Sequence, residues 1–239
     1  MLRLHVNVDH VATLRQARRI TTPDPVAWAR EVEAAGAHGI TCHLRKDRRH
    51  MLDADIPRLR AAVTTLFNLE SSLDEEMLGI SLESGADEIC LVPENRKEVT
   101  TEGGLDVVGE RVRLARAIPR FRERGMQVSL FVDPDATQLT AAAELEADFV
   151  ELHTGCFANA RGEERAREIE RLANAAETAH ALGLRVNAGH GLDYDNVTPI
   201  AGLPWLEELN IGHSIVGRAV FVGVREAVAE MLALLGSEA

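Results

Sequence analysis

Six apolar, β-prone runs of this chain end in side chains that can bind substrate or move protons. LRLHVNV (2–8) leads into Asn7, Asp9 and His10, and HGITCHL (38–44) into His43 and Arg45. TTLFNLE (64–70) ends on Asn68 and Glu70, and DFVELH (148–153) on Glu151 and His153. LRVNAG (184–189) passes Asn187 to reach His190, and LEELNIG (206–212) passes Asn210 to reach His213. One polar residue at a strand end is ordinarily a cap or a loop contact. Six such ends matter if the strands open on one mouth, because five histidines that titrate near neutral pH would then face one another, as acid–base catalysis requires. Glu70, on the otherwise apolar LFNLE, is expected to have its carboxyl raised by desolvation and to serve as a base; a salt bridge to an arginine is the alternative.

Cationic groups come in two clusters, in a chain whose formal net charge is -12. HLRKDRRH (43–50) starts at the second strand end, so Arg45 can offer a bidentate fork to phosphate or carboxylate, with His50 beside it. Lys46, Asp47, Arg48 and Arg49 read as a solvated charge run. DHVATLRQARR supplies the second cluster with Arg15, Arg18 and Arg19. A third anion feature is NIGHSIVGRAVF (210–221), a Gly-containing turn that opens a short helix and leaves backbone N–H groups for a phosphate.

Two further apolar runs, EICLV (88–92) and MQVSLFV (126–132), bring the candidate strands to eight. Helical patterns occupy most of the intervals: 23–36, 53–63, 74–85, 105–125, 135–147 and 162–183. AAGAHGITCH, ESGADEICLV, ERGMQVSLFV and ALGLRVNAG each put a glycine where a helix hands over to a strand, and LEADFVELH is the same joint without one. Repetition of a βα unit without a linker predicts a single (β/α)₈ TIM barrel with extra helices, one domain over 1–239, whose site lies at the C-terminal strand ends. A doubly wound open sheet is the alternative; an early G-x-G-x-x-G is lacking.

Composition narrows the function classes. The 46% hydrophobic and 27% charged fractions are those of a globular protein, and the acidic balance argues against nucleic acid or an anionic membrane as partner. No apolar run of about 18 residues and no signal-peptide pattern occurs, so a cytoplasmic protein is expected. Cys42, Cys90 and Cys156 are scattered without metal-ligand spacing. A metal-dependent barrel hydrolase is disfavoured because strand one offers Asp9-His10 and no H-x-H pair. A Schiff-base aldolase would need a lysine inside the barrel, and Lys46 and Lys97 both fall in loops.

VNVDHVATLRQAR, ITCHLRKDRRH, FNLE, LVPENRKEVTTEGGLDV, VELHTGC, VNAGHGL and ELNIGHSIVGRAV resemble the signature segments of the pyridoxine 5'-phosphate synthase family, from the first strand to the last helices. Lys46 departs from an acidic residue expected in HLREDRRH. The resemblance implies a TIM barrel that condenses 1-deoxy-D-xylulose 5-phosphate with 3-amino-2-oxopropyl phosphate, without metal or organic cofactor, as an octamer of four dimers. It implies proton transfer by His43, Glu70 and His190, with Glu151 assisting the transition state. Implied substrate contacts are Asn7, Asp9, His10, Arg18, Arg45, His50, Thr100, Gly191, Gly212 and His213. Because ring closure must exclude water, PENRKEVTTEGG (93–104) is expected to act as a closing loop that brings in Thr100.

Overall fold

Alternation along each strand decides how the chain packs. In the computed structural model, which describes residues 1–93 and 103–236, each of the eight apolar runs carries a strand. These are β1 (Arg3–Asn7), β2 (Gly39–His43), β3 (Leu66–Ser71), β4 (Glu88–Leu91), β5 (Gln127–Val132), β6 (Phe149–His153), β7 (Arg185–Gly189) and β8 (Leu206–Ile211). They pair in parallel in chain order, and β8 closes on β1 through Arg3↔Glu208 to Val6↔Ile211. One residue parity, including Leu4, Val6, Ile40, Leu69, Leu130, Leu152 and Leu209, belongs to the main apolar core. The other parity meets across the barrel interior and is largely polar. Thr41 Oγ1 donates to Asn210 Oδ1 (2.7 Å), Asn210 Nδ2 donates to Glu151 Oε2 (2.6 Å), and His5 Nε2 lies 3.4 Å from Glu208 Oε2. TIM-barrel interiors are ordinarily filled with branched apolar side chains. This one carries acids, amides and histidines beside Cys90, Phe131 and Phe149, and Glu88, Glu151 and Glu208 are all buried within it.

The helices follow the expected intervals, with α2 (Pro25–Ala34), α3 (Asp55–Ala62), α4 (Glu75–Glu83), α5 (Arg111–Arg122), α6 (Ala136–Glu144) and α8 (Gly162–Ala181). Four joints take left-handed backbone at Gly36, Gly85, Gly125 and Gly183. The joint without glycine does the same at Glu146 (φ 59°), so the turn geometry outweighs the cost of a side chain there. Helices beyond those intervals are α1 (Asp9–Arg18), the short α7 (Gly155–Asn159) and α9 (Val197–Ala201), and the pair α10 (His213–Val222) and α11 (Val224–Leu234). The α1 segment carries Val11, Ala12 and Arg15 on one buried face, a helical spacing that its charge obscures.

Arg15 is therefore not a free cation. Its guanidinium grips Asp55 at 2.8 and 2.7 Å and donates to the carbonyl of His50 at 3.0 Å, tying α1 to α3 and to the end of HLRKDRRH. Both partners are buried. Replacing Arg15 by Met strands the Asp55 carboxylate, and urea unfolding should show a loss of about 3–5 kcal/mol. Arg18→Met, at an exposed site, should stay within about 0.5 kcal/mol of the parent. Equal stabilities for the two variants would contradict the buried ion pair.

Candidate active site

The C-terminal strand ends surround one cavity of about 730 Å³. Asn7, His43, Glu70, Glu151 and Asn210 reach it from β1, β2, β3, β6 and β8, each at or near the last position of its strand. Asp9 and His10 open α1, whereas Arg45, Arg49 and His50 come from the loop after β2. His190, Gly191, Gly212 and His213 close the far side. A smaller cavity of about 400 Å³ at the opposite barrel end, beside His180 and Trp205, contains none of these groups.

Local bonds hold the carboxyls in place. Asp9 accepts the backbone N–H of His43 (2.8 Å) and the amide of Asn7 (3.0 Å), while its own N–H donates to Asn7 Oδ1 (2.8 Å). Burial nevertheless raises Asp9 to about 6. Glu70 is raised well above its ordinary value by desolvation first and then by the like charges of Asp9 and Glu151. An arginine partner would have held it low, so desolvation wins. Glu151 is raised to about 7, again by burial, against the amide of Asn210 that lowers it. Burial thus raises all three acids around this one cavity above the usual carboxylate range.

The imidazoles shift the other way. Desolvation, reinforced by His50 and Arg45, lowers His43 to about 3; its Nδ1 lies 3.9 Å from Glu70 Oε2 and its buried Nε2 has no hydrogen-bond partner. His190 falls to about 4 through burial, then His153 and His10. Its backbone is left-handed (φ 84°), a strained conformation for a non-glycine residue, and it is flanked by Gly189 and Gly191. Thr154 Oγ1 sits 2.7 and 2.6 Å from the carbonyls of Gly189 and His190 and secures the turn. Imidazoles whose pKa burial lowers, beside carboxyls whose pKa it raises, are suited to accept and give protons within one cavity.

Cations and a helix terminus complete the site. Arg45 is buried, with Nε 3.6 Å from Asp47 Oδ1. Gly212 caps α10, and a Cβ there would come within 2.9 Å of the Asn7 Cβ, so only glycine lets β8 turn this closely past β1. Ser214 Oγ donates to the Leu192 carbonyl (2.8 Å) and fixes the α10 start beside the loop after β7. The helix start brings backbone N–H groups to the rim, a geometry suited to phosphate.

Most expected site residues converge on this cavity. Arg18 does not line it; it is exposed at the last turn of α1. Thr100, and the expected closing loop apart from Pro93, Gly103 and Gly104, lie outside the described residues. Of the charge run, Lys46 pairs with Asp74 (2.5 Å), and Arg48 binds Asp53 (2.9 Å) and Glu76 (2.6 Å), as befits a surface loop. Arg49 departs from that reading, because it lines the cavity while also pairing with Asp47 (2.6 Å). Three other strand-end residues turn elsewhere: Asn68 donates to Thr41 (3.4 Å), Asn187 to Glu208 (2.6 Å), and His153 pairs with Asp133 (3.0 Å). Sequence reasoning passed over Phe131, Thr13 and Ser214. Phe131 pairs in register with Glu151, so aligning the strand ends would have found it.

Comparison with known proteins matches residues 4–237 to the model of the family described as pyridoxal phosphate biosynthesis protein PdxJ. The chain belongs to the pyridoxine 5'-phosphate synthase family. A pyridoxine 5'-phosphate synthase from Crocosphaera subtropica is 56% identical over 238 residues, and one from Synechococcus sp. is 55% identical over 237, each covering 99% of both chains. Among solved structures, KGPDC from Streptococcus mutans superposes with a TM-score of 0.68 at 13% identity, over 98% of this chain and 97% of that one. That likeness is one of fold. Each of the segments that resemble the family contributes residues to the cavity lining, among them Asn7, His43, Glu70, Glu151, Gly191 and Gly212.

Proposed function

We propose that this chain condenses 1-deoxy-D-xylulose 5-phosphate with 3-amino-2-oxopropyl phosphate, releasing pyridoxine 5'-phosphate, inorganic phosphate and water. The observation that supports the residue assignment is convergence: His43, Glu70, Glu151 and His190 line one cavity, where burial raises both carboxyls and lowers both imidazoles. Imine formation, phosphate elimination, hydration and ring closure each move protons on and off carbon, nitrogen and oxygen. They need several neutral acids and bases near one substrate pair. Glu70 and His43 form one transfer pair. His190 serves the opposite wall, and Glu151, oriented by Asn210, steadies charge that develops between them. Asn7, Asp9, His10, His50 and His213 position the substrates, and Arg18 and Thr100 remain assigned as contacts by family resemblance.

Arg45 holds one phosphate, and the α10 start with Gly191 and Gly212 holds the other. Substitutions within one loop then separate clamp from surface. Arg45→Lys keeps charge but loses the fork, and substrate affinity should fall by roughly 10- to 150-fold, the worth of a charge-assisted bond of about 1.5–3 kcal/mol. Lys46→Ala should leave affinity near parental, because its ion pair is exposed. Arg48→Ala should cost stability rather than affinity, and Arg49→Ala should fall between. Equal small losses across all four variants would leave only a diffuse positive field.

The whole chain, 1–239, acts as one barrel domain and assembles as an octamer of four dimers in the cytoplasm. In support of assembly, Val220 and Phe221 on α10 are 70% and 85% exposed, an apolar surface that association would cover. Among the described residues no helix is long and apolar enough to cross a membrane. The deciding experiment supplies the two phosphates to purified protein and follows pyridoxine 5'-phosphate and inorganic phosphate in equal amounts. Failure to form the ring would remove the activity, whatever the fold.

A further inference from the structure

The barrel interior carries a second polar cluster, in its N-terminal half and apart from the substrate cavity. His5 on β1, Glu88 at the start of β4 and Glu208 on β8 each place a ligand-capable atom within 4.8 Å of the others. All three are buried, His5 and Glu208 completely. His5 is the unusual member. Neither ring nitrogen has a hydrogen-bond partner, although neutral imidazole carries one donor and one acceptor, and leaving such groups unsatisfied is costly. Its Nε2 lies 3.4 Å from Glu208 Oε2, so the ring is aimed into the cluster. The ring's place also depends on Gly39, where a Cβ would come within 2.6 Å of the imidazole.

The surroundings resemble the outer layer of a metal site. Asn187 Nδ2 donates to Glu208 Oε1 at 2.6 Å and orients the carboxylate so that Oε2 faces His5. The Asn187 Oδ1 is itself buried without a partner. Arg3 holds Glu208 Oε2 through Nη2 at 2.6 Å and Nε at 2.9 Å, with Glu207 3.5 Å from the same guanidinium, so an ion bound at Oε2 would share that oxygen with Arg3 or displace it.

We propose that His5, Glu88 and Glu208 form a structural site for a divalent transition-metal ion, with zinc the best match to one imidazole and two carboxylates. Such a donor set suits zinc in a low coordination number, whereas magnesium and calcium require six or more oxygens. Two carboxylates would balance the ion's charge inside the barrel. The site lies apart from the reacting groups, and its occupancy adds to stability rather than to chemistry.

The full chain, stripped with chelator and dialysed, is titrated with Co2+ as a spectroscopic stand-in and then with Zn2+ in competition. One Co2+ per chain should bind, with the visible bands of a low-coordinate ion, and Zn2+ should displace it and raise the Tm. Removing an outer partner of a bound metal already weakens affinity by about 10- to 100-fold, so His5→Gln and Glu88→Gln should each weaken it at least that much and abolish the Tm rise. Cys156→Ser, which removes the exposed thiol, should bind as the parent does. Circular dichroism establishes that each variant is folded; if His5→Gln is not, the isosteric Glu88→Gln carries the test. Absence of binding by the parent overturns the site, and so does binding that survives Glu88→Gln.

Discussion

Glu70→Gln should reduce turnover by roughly 10²–10⁴, the range expected when one positioned proton-transfer group is lost. The substitution preserves shape and hydrogen-bonding capacity and removes only the ability to exchange a proton. Desolvation first, and then the neighbouring Asp9 and Glu151, hold this carboxyl well above its ordinary value. Because the amide replaces a buried carboxyl of the same shape, stability should not fall. Steady-state kinetics with a denaturation curve separates the effects: lower kcat with unchanged stability is expected. Near-parental turnover would remove Glu70 from the mechanism.

His43→Asn and His190→Asn should each lower kcat by roughly 10²–10⁴ while the variants remain folded and still bind substrates. Asn suits both places for physical reasons. At position 190 it tolerates the left-handed backbone better than most residues, so the turn secured by Thr154 should survive. At position 43 it avoids leaving an unpartnered ring nitrogen in a buried pocket. Loss of folding in either variant, rather than loss of kcat, would mark the histidine as a packing residue. The pH profile adds a check. Both imidazoles protonate in the folded protein only far below neutrality, so neither should produce an acid limb between pH 6 and 8. A limb there should come from Asp9 at about 6 or Glu151 at about 7, and should persist in both variants.

The eight strands, their order along the chain and the helix-to-strand joints were legible in the sequence, because a βα unit writes its period and its turns locally. The convergence of Asn7, His43, Glu70, Glu151, His190 and His213 was legible too, since parallel strands in a barrel all end on one side. Other features depended on contacts distant in sequence. Arg15 and Arg18 look alike within DHVATLRQARR, yet one is spent on Asp55, forty residues away, and the other is exposed. Arg49 looks like Arg48, but the loop's fold turns only Arg49 to the cavity. His5, shortly before a strand-end motif, reads as one more polar residue in an apolar run until β4 and β8 bring Glu88 and Glu208 against it. Sequence periodicity determined which face each residue would occupy. Tertiary structure decided which charges met on that face and how dry they were, because desolvation and pairing depend on neighbours the chain supplies from elsewhere.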